Sequence, residues 1–451
     1  MIDRIWLHPP LAIARLGPSP VPCDNYHWGP SDLSPRGTGK TTVVPAVTLD
    51  LAADGTLSER MPTKAQFKDT DGWRPVCPYF ELHATWTSGG ERRTGPLTEA
   101  VLAESGLSPA DLCWRVAVAN LKAYHYTQAT GDRVEAHAEV RGDDHTRHAL
   151  DGTSPQDDAR PLVPSGAGLP LGAVQLPAPN AALPELRLRF TPGAGAVYGP
   201  TDLATRAQGT EYRLPPERLI LNRDAVWCGF PLQNISDDPR TVPGGLFAGA
   251  ELEESLGLVD DVCDGTVVAT LPGGLTATAR IVVGPPDFAP DRRPFISLAD
   301  GLADRVRRAD VHDPAYLADE RLTALEVRDL FERVLETMGN VNVEVQNGRF
   351  RTPPLEPPRK LTSVLLELTD RGRRRHRRYV ALEALEDLLR EQPGLLRRVV
   401  REPVPDEPVW DERMPVAMRG ADSYALHLTR RQYDLLVNWS RTLREDTEAG
   451  S

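Results

Sequence analysis

Two hydrophobic rhythms divide the chain. Through residue 305, apolar positions recur at every second residue or in short runs cut by proline and glycine. Leu186-Arg187-Leu188-Arg189-Phe190 alternates and predicts a half-buried strand. Thr266–Leu271 and Ala277–Val283 read as two strands joined by Pro272-Gly273-Gly274. Val43–Leu51 is a further strand, followed by an Asp54-Gly55 turn. Trp114–Tyr126 is apolar and strand-rich, and Ser108-Pro109 opens a short helix before it, with Ser108 as N-cap. After Arg305 the period becomes helical. Residues 319–338 place Leu322, Leu325, Leu330, Phe331, Val334 and Leu335 on one face. Val380–Leu396 contains a helix ended by Pro393-Gly394. Thr429–Leu443 predicts a last helix, capped by Thr429, with Tyr433, Leu436 and Trp439 on one stripe.

These patterns predict an α+β protein: a β-rich body of many short strands with long ordered loops, followed by a mostly helical C-terminal part. Four regions are expected: a β-rich region at 1–141, a Pro/Gly/Ala-rich linker or long loop at 142–185, a second β-rich region at 186–305, and a helical region at 306–451. The linker is read from its turn from apolar runs to Asp, Gly, Pro, Ala and Ser. The 42 prolines are spread along the chain, which suits short strands and ordered loops better than long helices.

A formal net charge of −12 argues against nucleic acid as the main partner, since phosphate binding wants a basic face. No apolar run approaches the roughly 18–20 residues of a membrane span. The opening MIDRIWLHPP has no apolar core of a secretory signal, and the five cysteines form neither a CxxC pair nor a zinc spacing. Reduced thiols and a cytoplasmic location are expected.

Several stretches invite chemistry. Ser34–Thr41, SPRGTGKT, imitates a phosphate loop, but Ser34 stands where that loop needs glycine and Pro45 disrupts the following helix. His145 and His148, near His137, Asp143 and Asp144, have ligand chemistry in a polar stretch that fixes no ligand geometry. Arg371–Arg378 is the densest positive run and reads as a solvated face or an internal ion-pair surface. Asp260, Asp261 and Asp264 leave two readings open. They could bind a hard cation or act as a coupled acid/base pair. Alternatively, Asp264-Gly265 turns the chain while the other acids cap backbone amides. No Ser, Cys or His lies in a nucleophile motif such as GxSxG.

Four pieces resemble the LodA-like family, the lysine ε-oxidase and glycine oxidase group of quinoprotein amino-acid oxidases. They are Ile2-Asp3-Arg4-Ile5 with His8-Pro9-Pro10 and Ile13-Ala14-Arg15-Leu16-Gly17; Phe190-Thr191-Pro192 with Val197-Tyr198-Gly199-Pro200; Asp260-Asp261-Val262-Cys263-Asp264-Gly265 with Gly284-Pro285-Pro286-Asp287-Phe288-Ala289-Pro290; and Met414-Pro415 and Arg419-Gly420 with Leu428-Thr429, Gln432-Tyr433, Leu436 and Trp439. The resemblance implies oxidative deamination of an amino acid or amine on cysteine tryptophylquinone, a Cys–Trp crosslink that the family pattern places after the last helix. The last cysteine here is Cys263, and Cys113-Trp114 and Trp227-Cys228 are neighbours whose side chains diverge in a strand.

The expectation is therefore a protein with no intrinsic cofactor, a scaffold or subunit whose quinone comes from another chain. Tyr433, Leu436 and Trp439 would form the face that meets it. A non-catalytic structural or binding homologue is the alternative, an enzyme with an unforeseen site of its own stays open, and so does self-association.

Overall fold

The structure, a computed structural model, describes residues 1–31, 41–207, 213–231, 254–287, 289–294, 296–338, 392, 394–404 and 426–449. The stretches 34–40, 237–245, 353–358, 361–368, 371–378, 380–391 and 414–420, and Phe288, lie outside that description. In chain order the strands are β1 (Ile2–His8), β2 (Leu11–Arg15), β3 (Tyr26–Ser31), β4 (Thr41–Pro45), β5 (Thr48–Leu51), β6 (Leu57–Arg60), β7 (Lys68–Asp69), β8 (Gly72–Trp73), β9 (Tyr79–Ser88), β10 (Glu91–Pro96), β11 (Cys113–Asn120), β12 (Val134–Arg141), β13 (His148–Gly152), β14 (Leu169–Gln175), β15 (Arg187–Pro192), β16 (Val197–Tyr198), β17 (Val259–Asp260), β18 (Asp264–Leu271) and β19 (Leu275–Gly284). The helices are α1 (Glu99–Glu104), α2 (Lys122–Thr127), α3 (Leu203–Arg206), α4 (Leu298–Val306), α5 (Pro314–Leu317), α6 (Glu320–Met338), α7 (Leu395–Val399) and α8 (Arg430–Ala449). The mixed α+β class, with short strands in several sheets and a helical C-terminal part, is as the patterns predict.

The chain divides into two compact units. The first takes residues 1–27, 44–237 and 244–288; the second takes 28–43, 238–243 and 289–451. The β-rich part thus closes at 288 rather than 305, and α4 belongs with the helices.

In the first unit, one sheet runs β1-β9-β15-β14-β13, with β10 also paired to β9. The other runs β12-β11-β18-β19-β2. Alternation sets the inward faces: β12 is buried at Val134, Ala136, Ala138 and Val140, and β19 at Ala277, Ala279, Ile281 and Val283. Both sheets feed one apolar core that includes Trp114, Val116, Phe80, Leu82, Phe190 and Ile281. The Pro272-Gly273-Gly274 hairpin forms as expected, with Leu271 opposite Leu275. All pairings within the two sheets are antiparallel except β19 with β2.

The stretch 142–185 is no linker. It supplies β13 and β14 and buries Leu150, Leu162, Val163, Leu169 and Leu171 completely. Its prolines and glycines shape the connections, while leucines spaced by two carry the strands into the core. The apolar run from Trp114 is strand only to Asn120. There the Asn120 side chain accepts from the Lys122 N–H at 3.1 Å, and α2 begins.

In the second unit, α4 starts with a capping box. The Ser297 N–H donates to the Asp300 carboxylate at 2.7 Å, and the Asp300 N–H donates to Ser297 Oγ at 3.3 Å. The buried face of α6 is Thr323, Val327 and Leu330, whereas Leu322 and Leu325 are exposed. The side chains of Val334 and Leu335 lie outside the description.

Gly265 has Ala117 beside it, and a Cβ there would collide with the Ala117 carbonyl oxygen on the neighbouring strand. Gly265→Ala should therefore lower stability by roughly 1–3 kcal/mol. The expected reading is a lower urea midpoint with an unchanged slope; an unchanged midpoint would show that the strands separate without strain.

Candidate functional site

Three of the four motif segments converge on one seam in the first unit. β2 lies parallel to β19, with Ile13 opposite Val282 and Arg15 opposite Gly284. The Leu16 N–H donates to the Gly284 carbonyl at 2.9 Å, and the Gly17 N–H to the Gly193 carbonyl at 3.4 Å. Val197 pairs with Asp260 and Tyr198 with Val259. The opening segment, the Phe190–Pro200 segment and the Asp260–Gly284 segment are thus joined backbone to backbone, although they lie far apart along the chain.

Asp261 locks this seam. It is 0% exposed, and its Oδ2 accepts the N–H groups of Gly195 at 2.9 Å and Ala196 at 3.1 Å. Its own N–H donates to the Ala196 carbonyl at 3.2 Å. Gly193 is required beside it, because a Cβ there would lie 2.6 Å from Oδ2. Burial pushes the Asp261 carboxyl above the usual carboxylate range; the two amide hydrogen bonds pull it back in part, and neighbouring Asp260 adds to the rise. Oδ1 is buried with no hydrogen-bond partner, so nothing there offsets the cost of ionisation.

The other two acids point elsewhere. Asp260 meets Lys122 Nζ at 2.6 Å on a part-exposed edge, and its carbonyl accepts from Asn120 Nδ2 at 2.7 Å. Asp264 is exposed and already sits within β18, opposite Val282 and Ala119. It starts the strand and does not make a turn into it. Among the described residues no group of three or more His, Cys, Asp or Glu is placed to hold a metal ion. His145 and His148 also part: Nδ1 of the first lies 3.2 Å from the Leu176 carbonyl, while the second opens β13 and pairs with Asp144 at 2.9 Å.

Neither neighbouring Cys–Trp pair fits a tryptophylquinone. Trp114 is buried in the core, and Cys113, the preceding strand residue, faces the other way. Trp227 stacks between Tyr126 and Phe230, at 5.9 and 6.3 Å between centroids, and its indole N–H donates to the Leu258 carbonyl. The Cys228 thiol turns away to the Asn222 carbonyl at 3.3 Å. Burial pushes the thiols of Cys228 and Cys263 up to about 12, so neither is a thiolate near neutral pH.

The stripe on α8 is not an outward face. Tyr433, Leu436 and Trp439 are 5%, 1% and 4% exposed, in the helical unit's own core with Val327, Leu330, Leu396 and Val400. The polar flanks of α8 are tied as well. Arg431 pairs with Glu326 at 2.7 Å, Asp434 Oδ2 lies 3.1 Å from His312 Nε2, and Gln432 and Thr429 cap the helix reciprocally.

One polar cluster escapes a reading by motif. On the face of the larger sheet away from the core, Arg187 meets Glu81 at 2.8 Å and Glu185 at 3.0 Å. Glu81 lies 2.9 Å from His83, whose ring packs against Trp6 and His8. The signal was the alternation at 186–190, which puts two arginines on one face of a strand.

The chain is a mixed α+β protein whose first unit is built on two main sheets and joined by backbone pairing around a buried carboxyl, and whose second unit is largely helical. No family model matches the chain, and no curated protein matches it. Among solved structures it is similar to L-Lys ε-oxidase from Marinomonas mediterranea, captured as the Schiff-base intermediate with L-Lys, at a TM-score of 0.40 and 16% identity. The match covers 77% of this chain and 47% of that one, so the chain spans about half the length of that oxidase.

Asp261→Ala removes the acceptor of two N–H groups and should cost roughly 1–3 kcal/mol. A raised folded-state carboxyl contributes stability below the ordinary aspartate range and loses it as pH climbs through the folded value. Asp261→Asn keeps an acceptor without the ionisation. Its unfolding free energy should fall less than the parent's between about pH 4 and pH 7. Parallel pH curves for the two proteins would remove Asp261 as the source.

Proposed function

We propose that this chain is a non-catalytic structural and binding scaffold, a distant relative of the amino-acid oxidases that its motifs resemble, with no redox cofactor of its own. The observation that carries this reading is the work done by the motif residues that the structure describes. Leu16, Gly17, Gly284 and Asp261 join the seam, and Tyr433, Leu436 and Trp439 fill a core. The misfit of both Cys–Trp pairs points the same way.

A second reading makes the chain a subunit of an amine-oxidising system, with the quinone for oxidative deamination on another chain. It is favoured by a different surface from the one expected. α4 exposes Leu298, Leu302 and Val306 at 49%, 55% and 78%, four residues apart and therefore on one face.

Purification of the chain from its native host, with redox-cycling quinone stain, visible spectroscopy and intact mass, tests both. The scaffold reading expects a colourless chain whose mass carries no crosslink shift and that does not stain. A stained second chain that stays bound selects the subunit reading. Stain and a shifted mass on this chain itself would overturn both.

A further inference from the structure

The outward face of β15 carries two arginines in different circumstances. Leu188, Phe190 and Pro192 are buried in the core, so Arg187, Arg189 and Thr191 share the opposite face. The charge of Arg187 is met by Glu81 and Glu185. Arg189 has no such neutralisation: among the described residues no carboxylate lies within ion-pair distance of it, and its Nε is buried with no hydrogen-bond partner. A half-buried cation without a counter-charge is costly, and an orphaned guanidinium N–H calls for an acceptor.

Among the described residues the groups around Arg189 are neutral or cationic. Tyr79 stands opposite it on β9, its hydroxyl within hydrogen-bonding reach of the guanidinium, and Gln175 opposite it on β14. The Gln175 amide is already engaged with the carbonyls of Ala52, Ala53 and His145. Arg189 and Thr191 are within hydrogen-bonding reach of the Cys77 thiol, and Arg147 brings a second positive charge to the same thiol. Arg147 is exposed and has no ion-pair partner among the described residues. The thiol stays protonated, because burial pushes it up more than both arginines pull it down. Asp50 is the acid whose field reaches Tyr79, and Arg60 holds it at 2.7 Å.

We infer that Arg189 and Arg147, with Thr191 and the Cys77 thiol, form a binding site for a small oxyanion, a carboxylate or phosphate group. A guanidinium fork matches the oxygens of either group, and the Thr191 hydroxyl adds a neutral donor; the Cys77 thiol donates to the Pro75 carbonyl at 3.8 Å and lines the site without charge. This site is separate from the Asp261 seam and does not depend on the scaffold reading.

The test uses the full chain, with inorganic phosphate and sodium acetate as probes at constant ionic strength set by chloride. Unfolding temperature is followed against probe concentration, together with the rate of Cys77 alkylation by iodoacetamide, read by peptide mass. Saturable stabilisation is expected with at least one probe, and slower Cys77 labelling at the same concentrations. The tighter probe identifies the class of anion. Arg189→Gln should weaken binding roughly tenfold or more, as the loss of a charge-assisted hydrogen bond implies. Should Arg189→Gln fail to fold, Arg147→Gln alters only an exposed side chain and should weaken the same titration. A linear, unsaturating response to both probes overturns the site, as does an unchanged affinity in the variants.

Discussion

The parallel pairing of β2 with β19 is the contact on which the β unit depends. It joins residues 11–15 to residues 280–284 and sets β2 at the edge of the smaller sheet, beside the β18–β19 hairpin. Parallel neighbours need a long crossover, and here nearly the whole unit is that crossover. Closing so long a loop has a cost that grows slowly with its length, so the pairing is affordable once the core between the sheets is buried. The loops Gly193–Ala196 and Asp260–Cys263 then dock against it through Gly17 and Asp261. Sequence segments that look like separate motifs are therefore one structural joint.

Asp261 shows why such a joint uses a carboxyl. Two adjacent amides in a loop need an acceptor with two lone pairs and a short reach, and a serine or asparagine would leave a donor to satisfy. The burden is desolvation, which raises the carboxyl above the usual carboxylate range. α8 solves its own case differently. Arg431 stays charged because Glu326, Tyr316 and the Arg307 carbonyl all receive its N–H groups. Burial leaves one group with a raised carboxyl and an oxygen without a partner, while the other is met by an ion pair and hydrogen bonds.

Much of this was legible in the residues. The β18–β19 hairpin was plain because apolar residues alternate with threonine and arginine around a Pro-Gly-Gly turn. The stretch 142–185 was not, since composition outweighed spacing: proline and glycine concealed Leu169 and Leu171, two positions apart on β14. The Tyr433–Trp439 stripe is one face, as its spacing predicts, but periodicity says that a face is apolar and not what covers it. The partner proved to be α6, α7 and the turn at Val311 within the same unit. Asp261 was indistinguishable from Asp260 and Asp264 by type; depth alone separates them, and depth comes from pairings made far away in the chain.

The same limit explains Arg187 and Arg189. Their alternation with leucine and phenylalanine fixes the side of the sheet they occupy, while their different electrostatic fates follow from strands β9 and β14 beside them. Glu81 lies directly opposite Arg187, and Tyr79 opposite Arg189. A chain of net charge −12 repels anions at long range, and screening confines that repulsion to within roughly 10 Å at ordinary salt. Recognition at Arg189 must then come from short-range hydrogen bonds to a desolvated guanidinium rather than from steering by the protein's overall field. Such a site selects by the geometry of the anion's oxygens more than by its total charge.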